Sequence, residues 1–145
     1  MTTISTSSST AQDSAVAAPR RRWRAGVVVA AVLLALLTWL VANLIDASPI
    51  QVRMQDEVVG ITGVSVLMTS VLAALAGWAL LALLERLSPA GRRIWTAIAV
   101  VVLLLSLIAP LSYGIGAASK WSLVALHVVT GLVLIAGLPR SRARS

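Results

Sequence analysis

The chain has 145 residues, of which 59% are apolar and only 12% charged, and its mean hydropathy is +0.94. An average soluble domain carries roughly 25% charged residues, so this composition excludes a water-soluble globular domain and places the chain in a membrane. With no cysteine, one histidine and five acidic residues, it also lacks the parts for a disulfide framework, a thiolate metal site or a cysteine nucleophile.

The net charge is +7, from twelve basic and five acidic side chains. A basic balance can signal nucleic acid. Here the arginines sit in clusters just outside apolar runs, which is the pattern of membrane topology instead. No nucleic-acid partner is expected, and membrane lipid is.

Residues 1–19 are rich in Ser, Thr and Ala and carry one charged side chain, Asp13. Such a segment buries no core and reads as a disordered tail. The positive cluster Arg20-Arg21-Arg22-Trp23-Arg24 comes after it, and the following apolar run (25–45) has 21 residues. That exceeds the ~7–15 residues of a signal-peptide core, and no small-x-small cleavage site closes it. The run reads as a retained anchor. Paired arginines also occur in twin-arginine export signals, but three further apolar segments follow here.

A spanning helix needs about 20 mostly apolar residues. Four segments qualify, at about 25–45, 60–84, 93–112 and 121–138. They define a membrane domain over residues 20–139, followed by a basic tail at 140–145. The fold class is all-α, a four-helix transmembrane bundle.

The links differ in kind. In the first (46–60), Ile50, Val52 and Met54 alternate with polar residues. That pattern allows a short extended stretch, and equally a loop lying at the interface. The second, Leu87-Ser88-Pro89-Ala90-Gly91, is tight; Ser88 can cap the next helix with Pro89 at its first position. The third (113–119) is short and rich in Gly and Ala. Four crossings put both termini on one side, with ten arginines (20, 21, 22, 24, 86, 92, 93, 140, 142 and 144) there and only Arg53 and Lys120 opposite. The positive-inside rule then makes the termini cytoplasmic in a cytoplasmic (plasma) membrane. Trp23 and Trp95 fall near the inner interface, and Tyr113 and Trp121 near the outer one.

Helices in lipid associate through small residues and some hydrogen bonds. Helix one offers Ala31, Ala35, Thr38 and Ala42. Helix two offers Thr62, Ser65, Thr69, Ala73, Ala76 and Gly77, with Trp78 opposite, towards lipid. Helix three offers Thr96, Ala99, Ser106 and Pro110, and helix four His127, Thr130, Gly131 and Gly137. Pro110 removes a backbone bond and frees the carbonyl of Ser106, which predicts a bend or the helix end.

His127 lies about 9 Å below the outer surface at 1.5 Å per residue, and polar side chains at depth are functional candidates. A neutral imidazole bonded to a neighbouring helix accounts for it equally well. Asn43 lies at similar depth. With Tyr113, and with Asp46 or Ser112 nearby, Asn43 and His127 outline a small outward-facing polar pocket; interfacial solvation of Asn43 is the plainer alternative. Glu85 can pair with Arg92 or Arg93 across the tight turn, although Glu85, Arg86, Arg92 and Arg93 are expected to act chiefly as a solvated topology signal.

No Asp, Glu, Lys or Arg lies in the middle of any span, where ion-coupled carriers usually need one. No phosphate-binding loop and no nucleophile with an adjacent base occur. The chain is therefore not expected to be an enzyme or to hold a cofactor or metal.

Two stretches, GWALLALLERLSPAGRRIWTAIAVVVLLLSLIAPLS (77–112) and ALHVVTGLVLIAGLPR (125–140), resemble a family of small four-helix membrane proteins, mostly actinobacterial, catalogued as a domain of unknown function. Gly77-Trp78, Glu85-Arg86, Trp95-Thr96, Pro110-Leu111 and His127 carry the likeness. It implies fold and compartment and transfers no site. Two functions stay open: a structural or accessory bundle that packs with itself or with a membrane protein partner, and a small-molecule binding or transport module built on Asn43, Tyr113 and His127.

Overall fold

The computed structural model describes residues 9–46, 50–54 and 57–140. The elements are α1 (Ser9–Asp46), β1 (Gln51–Met54), β2 (Glu57–Gly60), α2 (Gly63–Leu87), α3 (Gly91–Ser106), α4 (Ile108–Tyr113) and α5 (Gly116–Gly137). Four helical segments are long and apolar enough to cross a membrane: Arg20–Ile45, Gly63–Leu87, Gly91–Tyr113 and Gly116–Gly137. Around the bundle, α1 packs on α2, α2 on α3, α3 on α5, and α5 back on α1.

Helix α1 starts at Ser9, so the expected disordered tail is helical over 9–19; residues 1–8 lie outside the described residues. Nucleating a helix is the costly step and extending it is cheap. A 26-residue apolar helix next door therefore propagates into a stretch of good helix formers such as Ala and Gln. Pro19 sits inside this helix and forfeits one backbone bond.

The first link is a β-hairpin, so the extended alternative holds over the loop. Its strands pair antiparallel with Val52 opposite Val59, and Ile61 N–H to the Ile50 carbonyl (2.8 Å) closes its base. Ile50 and Val52 point inward because side chains alternate along a strand. They join Ala35, Val66, Leu123 and Leu126 in one core cluster, with Trp39 against it. The hairpin also reaches the far end of the chain. Ile115 N–H donates to the Gln51 carbonyl, and Gln51 N–H donates to Ser119 Oγ. It therefore covers one end of the bundle.

A second cluster fills the opposite end, which carries the chain termini: Val27, Leu81, Trp95 and Leu138, with Trp78 and Leu134 against it. This corrects the placement of Trp78 towards lipid. The whole inward face of α2 is turned by about one residue from the expected stripe. Val66, Ser70, Ala74 and Leu81 are buried, whereas Thr62, Ser65, Thr69, Ala73 and Ala76 are exposed. Thr62 and Ser65 serve local structure: each hydroxyl accepts from the other's backbone N–H, a capping box that opens the helix. The stripe on α1 holds, with Ala31 and Ala35 fully buried.

The α2–α3 turn differs from the expected cap. Helix α3 begins at Gly91, behind Ala90, and Ser88 instead ends α2 while its Oγ accepts from Ala90 N–H (3.2 Å). The turn is so tight that a Cβ on Gly91 would overlap the carbonyl of Leu84. Leu107 breaks the third span into α3 and α4, three residues before Pro110, which supports the bend. The last helix starts at Gly116, and it takes up most of the expected third link, including Ser119.

Candidate functional site

The most concentrated polar chemistry is at the terminal end, where three helices meet. Arg24 on α1 stands i−3, i−4, i−7 and i−11 from Val27, Val28, Ala31 and Ala35, all buried, so helical geometry turns it into the bundle. Arg20, Arg21 and Arg22 stay exposed. Arg24 Nη2 donates to both carboxylate oxygens of Glu85 at 2.8 Å. Arg92, at the start of α3, donates from Nε to Oε1 of the same carboxylate at 2.9 Å. Side-chain exposure is 9% for Arg24, 25% for Glu85 and 45% for Arg92. Glu85 thus ties α1, α2 and α3 together. Of the four charges expected to be solvated, Glu85 and Arg92 form a shared ion-pair cluster with Arg24, whereas Arg86 and Arg93 are exposed.

Two tryptophans frame the cluster. Trp23 Nε1 donates to the Gly137 carbonyl (3.0 Å), fixing α1 on α5. Trp95 Nε1 donates to the Gly77 carbonyl (2.8 Å), fixing α3 on α2. Trp95 is 2% exposed and belongs to the core. At the other end Trp39 Nε1 reaches the Ile61 carbonyl (3.0 Å). A buried indole N–H needs an acceptor, and for Trp95 and Trp39 a backbone carbonyl distant in sequence supplies it.

Two of the three residues of the expected outward pocket spend a hydrogen bond within their own helices. Asn43 Nδ2 donates to the Trp39 carbonyl (2.7 Å) and His127 Nδ1 to the Leu123 carbonyl (2.8 Å), each within its own helix. Tyr113 is 58% exposed. Among the described residues no hydrogen bond joins any two of them. Asp46 closes α1, and its side chain lies outside the described residues.

An open groove runs beside the ion-pair cluster, lined by Arg92, Arg93, Thr96, Ala97 and Val100. Neither this groove nor the interhelical role of Arg24 was read from the sequence. The signal for Arg24 was available, since its spacing to Val27, Ala31 and Ala35 puts it on the core face. The groove carries no motif.

Four apolar helices joined in a ring, each able to cross a membrane, define a small helical membrane-protein class. The chain belongs to the family of unknown function DUF6069, whose family model matches residues 15–144. No curated protein and no solved structure matches the chain.

Proposed function

We propose that this protein is a structural or accessory bundle of the cytoplasmic membrane, with both termini in the cytosol, that packs with itself or with a membrane protein partner and catalyses no reaction. The observation that carries this reading is where the polar side chains of the spans spend their hydrogen bonds. Thr38, Asn43, Thr69, Ser70, Thr96, Ser106 and His127 each bond a carbonyl three or four residues back in their own helix. Between the helices, among the described residues, the contacts are aliphatic and tryptophan packing, two indole-to-carbonyl hydrogen bonds and one ion-pair cluster. Such an interior suits a scaffold, and the concentration of arginines at the terminal end supports a cytosolic location for that end.

The experiment is chemical cross-linking of the full-length chain in its membrane, followed by mild-detergent purification and native mass spectrometry. A homo-oligomer or a stoichiometric second polypeptide is expected. A protein that is monomeric and alone after cross-linking overturns the reading.

One observation favours the pocket reading. With Nδ1–H donated to Leu123, His127 keeps Nε2 as a free acceptor among the described residues. A ligand held there would raise thermal stability in the native chain and not in His127→Leu.

A further inference from the structure

We propose that the groove on α3 between Arg93 and Val100 is a seat for one anionic phospholipid, its phosphate on Arg93 and one acyl chain along Ala97 and Val100. The groove runs from charged to apolar along the helix. Arg93, Ala97 and Val100 are spaced i, i+4, i+7, so they share one face and cover about 10 Å of helix axis. A phospholipid has the same order, with an anionic head followed by hydrocarbon.

The charge balance singles out an anion. Among residues whose side chains are described, Glu85 is the one carboxylate at this end, against arginines at 20–22, 24, 86, 92, 93 and 140. It is already shared by Arg24 and Arg92. The Arg93 side chain is exposed and has no ion pair or hydrogen bond among the described residues. Behind Glu85, the Nε–H of buried Arg24 likewise finds no acceptor there. Arg93, beside the cluster that Arg24 and Arg92 form with Glu85, is a cation with no described counter-ion. The first turn of α3 adds to this positive charge, because Ala90 provides no side-chain cap and a helix N-terminus carries partial positive charge. Thr96 has already given its hydroxyl hydrogen to the Arg92 carbonyl (2.9 Å), so it lines the groove without competing as a donor for the headgroup. Basic side chains at the cytoplasmic edge of membrane helices attract anionic headgroups.

The test is lipid titration of the full-length chain in neutral detergent, read by native mass spectrometry. Phosphatidylglycerol is compared with phosphatidylcholine of the same acyl chains. The native chain is expected to retain phosphatidylglycerol at least tenfold better. Arg93→Gln, at an exposed position, should weaken phosphatidylglycerol about fivefold, the effect of one arginine near the surface, and leave phosphatidylcholine unchanged. Val100→Trp, which fills the apolar part, should weaken phosphatidylglycerol through the chain alone. Arg20→Gln, in the same charged zone but outside the groove, should stay within twofold of the native chain. Far-UV circular dichroism checks that each variant is folded. The proposal is overturned if Arg93→Gln and Val100→Trp both bind as the native chain does. It is also overturned if Arg20→Gln loses as much as Arg93→Gln, which would mean diffuse attraction. Competition by glycerol 1-phosphate at equal concentration would overturn it too, because the groove would then read a free phosphate and not a lipid.

Discussion

Replacing Glu85 with Gln leaves the shape of the α1–α2–α3 junction and removes its only described negative charge. Arg24 then keeps a guanidinium that is 9% exposed with no counter-ion among the described residues, and Arg92 loses the same oxygen. Removing one partner of a buried ion pair typically costs about 3–5 kcal/mol, because the stranded charge is the expensive product. Glu85 is a quarter exposed, so solvent and headgroups recover part of that, and about 3 kcal/mol is expected. At 1.36 kcal/mol per decade that is roughly a hundredfold in the unfolding equilibrium. Reversible unfolding of the full chain in mixed micelles, titrated with a denaturing detergent, measures it. The double variant Arg24→Leu/Glu85→Leu should recover most of the loss, since apolar residues in place of both charges leave nothing unpaired. A Glu85→Gln protein within about 0.5 kcal/mol of the native chain, the range of an ordinary surface substitution, would refute the reasoning.

Other variants probe the packing. Gly91→Ala puts a methyl group into the Leu84 carbonyl, and overpacking of this kind costs about 1–3 kcal/mol; the same detergent titration reads it, and a neutral result would mean the turn is looser than described. Gly137→Leu collides with Val27 across α5 and α1 and should lower stability by a similar amount, while Gly26→Leu, with open space around its position, should not. Trp95→Phe gives up the bond to the Gly77 carbonyl; interhelical hydrogen bonds in membranes average about 0.6 kcal/mol and reach about 1.7, so thermal unfolding should shift modestly and the fold persist. His127→Leu breaks only an intrahelical bond and should leave cross-linked assembly unchanged; loss of assembly would count against the scaffold reading.

The four spans were legible because length and hydrocarbon thickness leave few alternatives: 27 uncharged residues between Glu57 and Glu85 can do little else. The inward face of α2 was not. In lipid both faces of a helix are apolar, so periodicity is weak, and small residues serve equally for packing and for capping. Thr62 and Ser65 went to the capping box, and the buried positions Val66, Ala74 and Leu81 look no different in sequence from their exposed neighbours. The hairpin was half legible, since alternation at Ile50 and Val52 is there to read, but the partners that choose strand over loop, Gln51 with Ile115 and Ser119, are some 65 residues away. Asn43 and His127 do not bond each other for a local reason. Asn43 and His127 both sit four residues beyond a carbonyl they can reach on their own helix. The Glu85 pairing with Arg92 followed from the tight turn, while Arg24 required knowing that α1 lies against α2.

The sidedness of the chain tests the account most directly. The native sequence has no cysteine, so Glu57→Cys on the hairpin and Ser141→Cys after the last helix each provide a single reactive thiol. With a membrane-impermeant maleimide on intact cells, Glu57→Cys should label at once and Ser141→Cys only after permeabilisation. Labelling of Ser141→Cys from outside, or of both positions equally, would contradict a four-crossing bundle with its arginine-rich end in the cytosol.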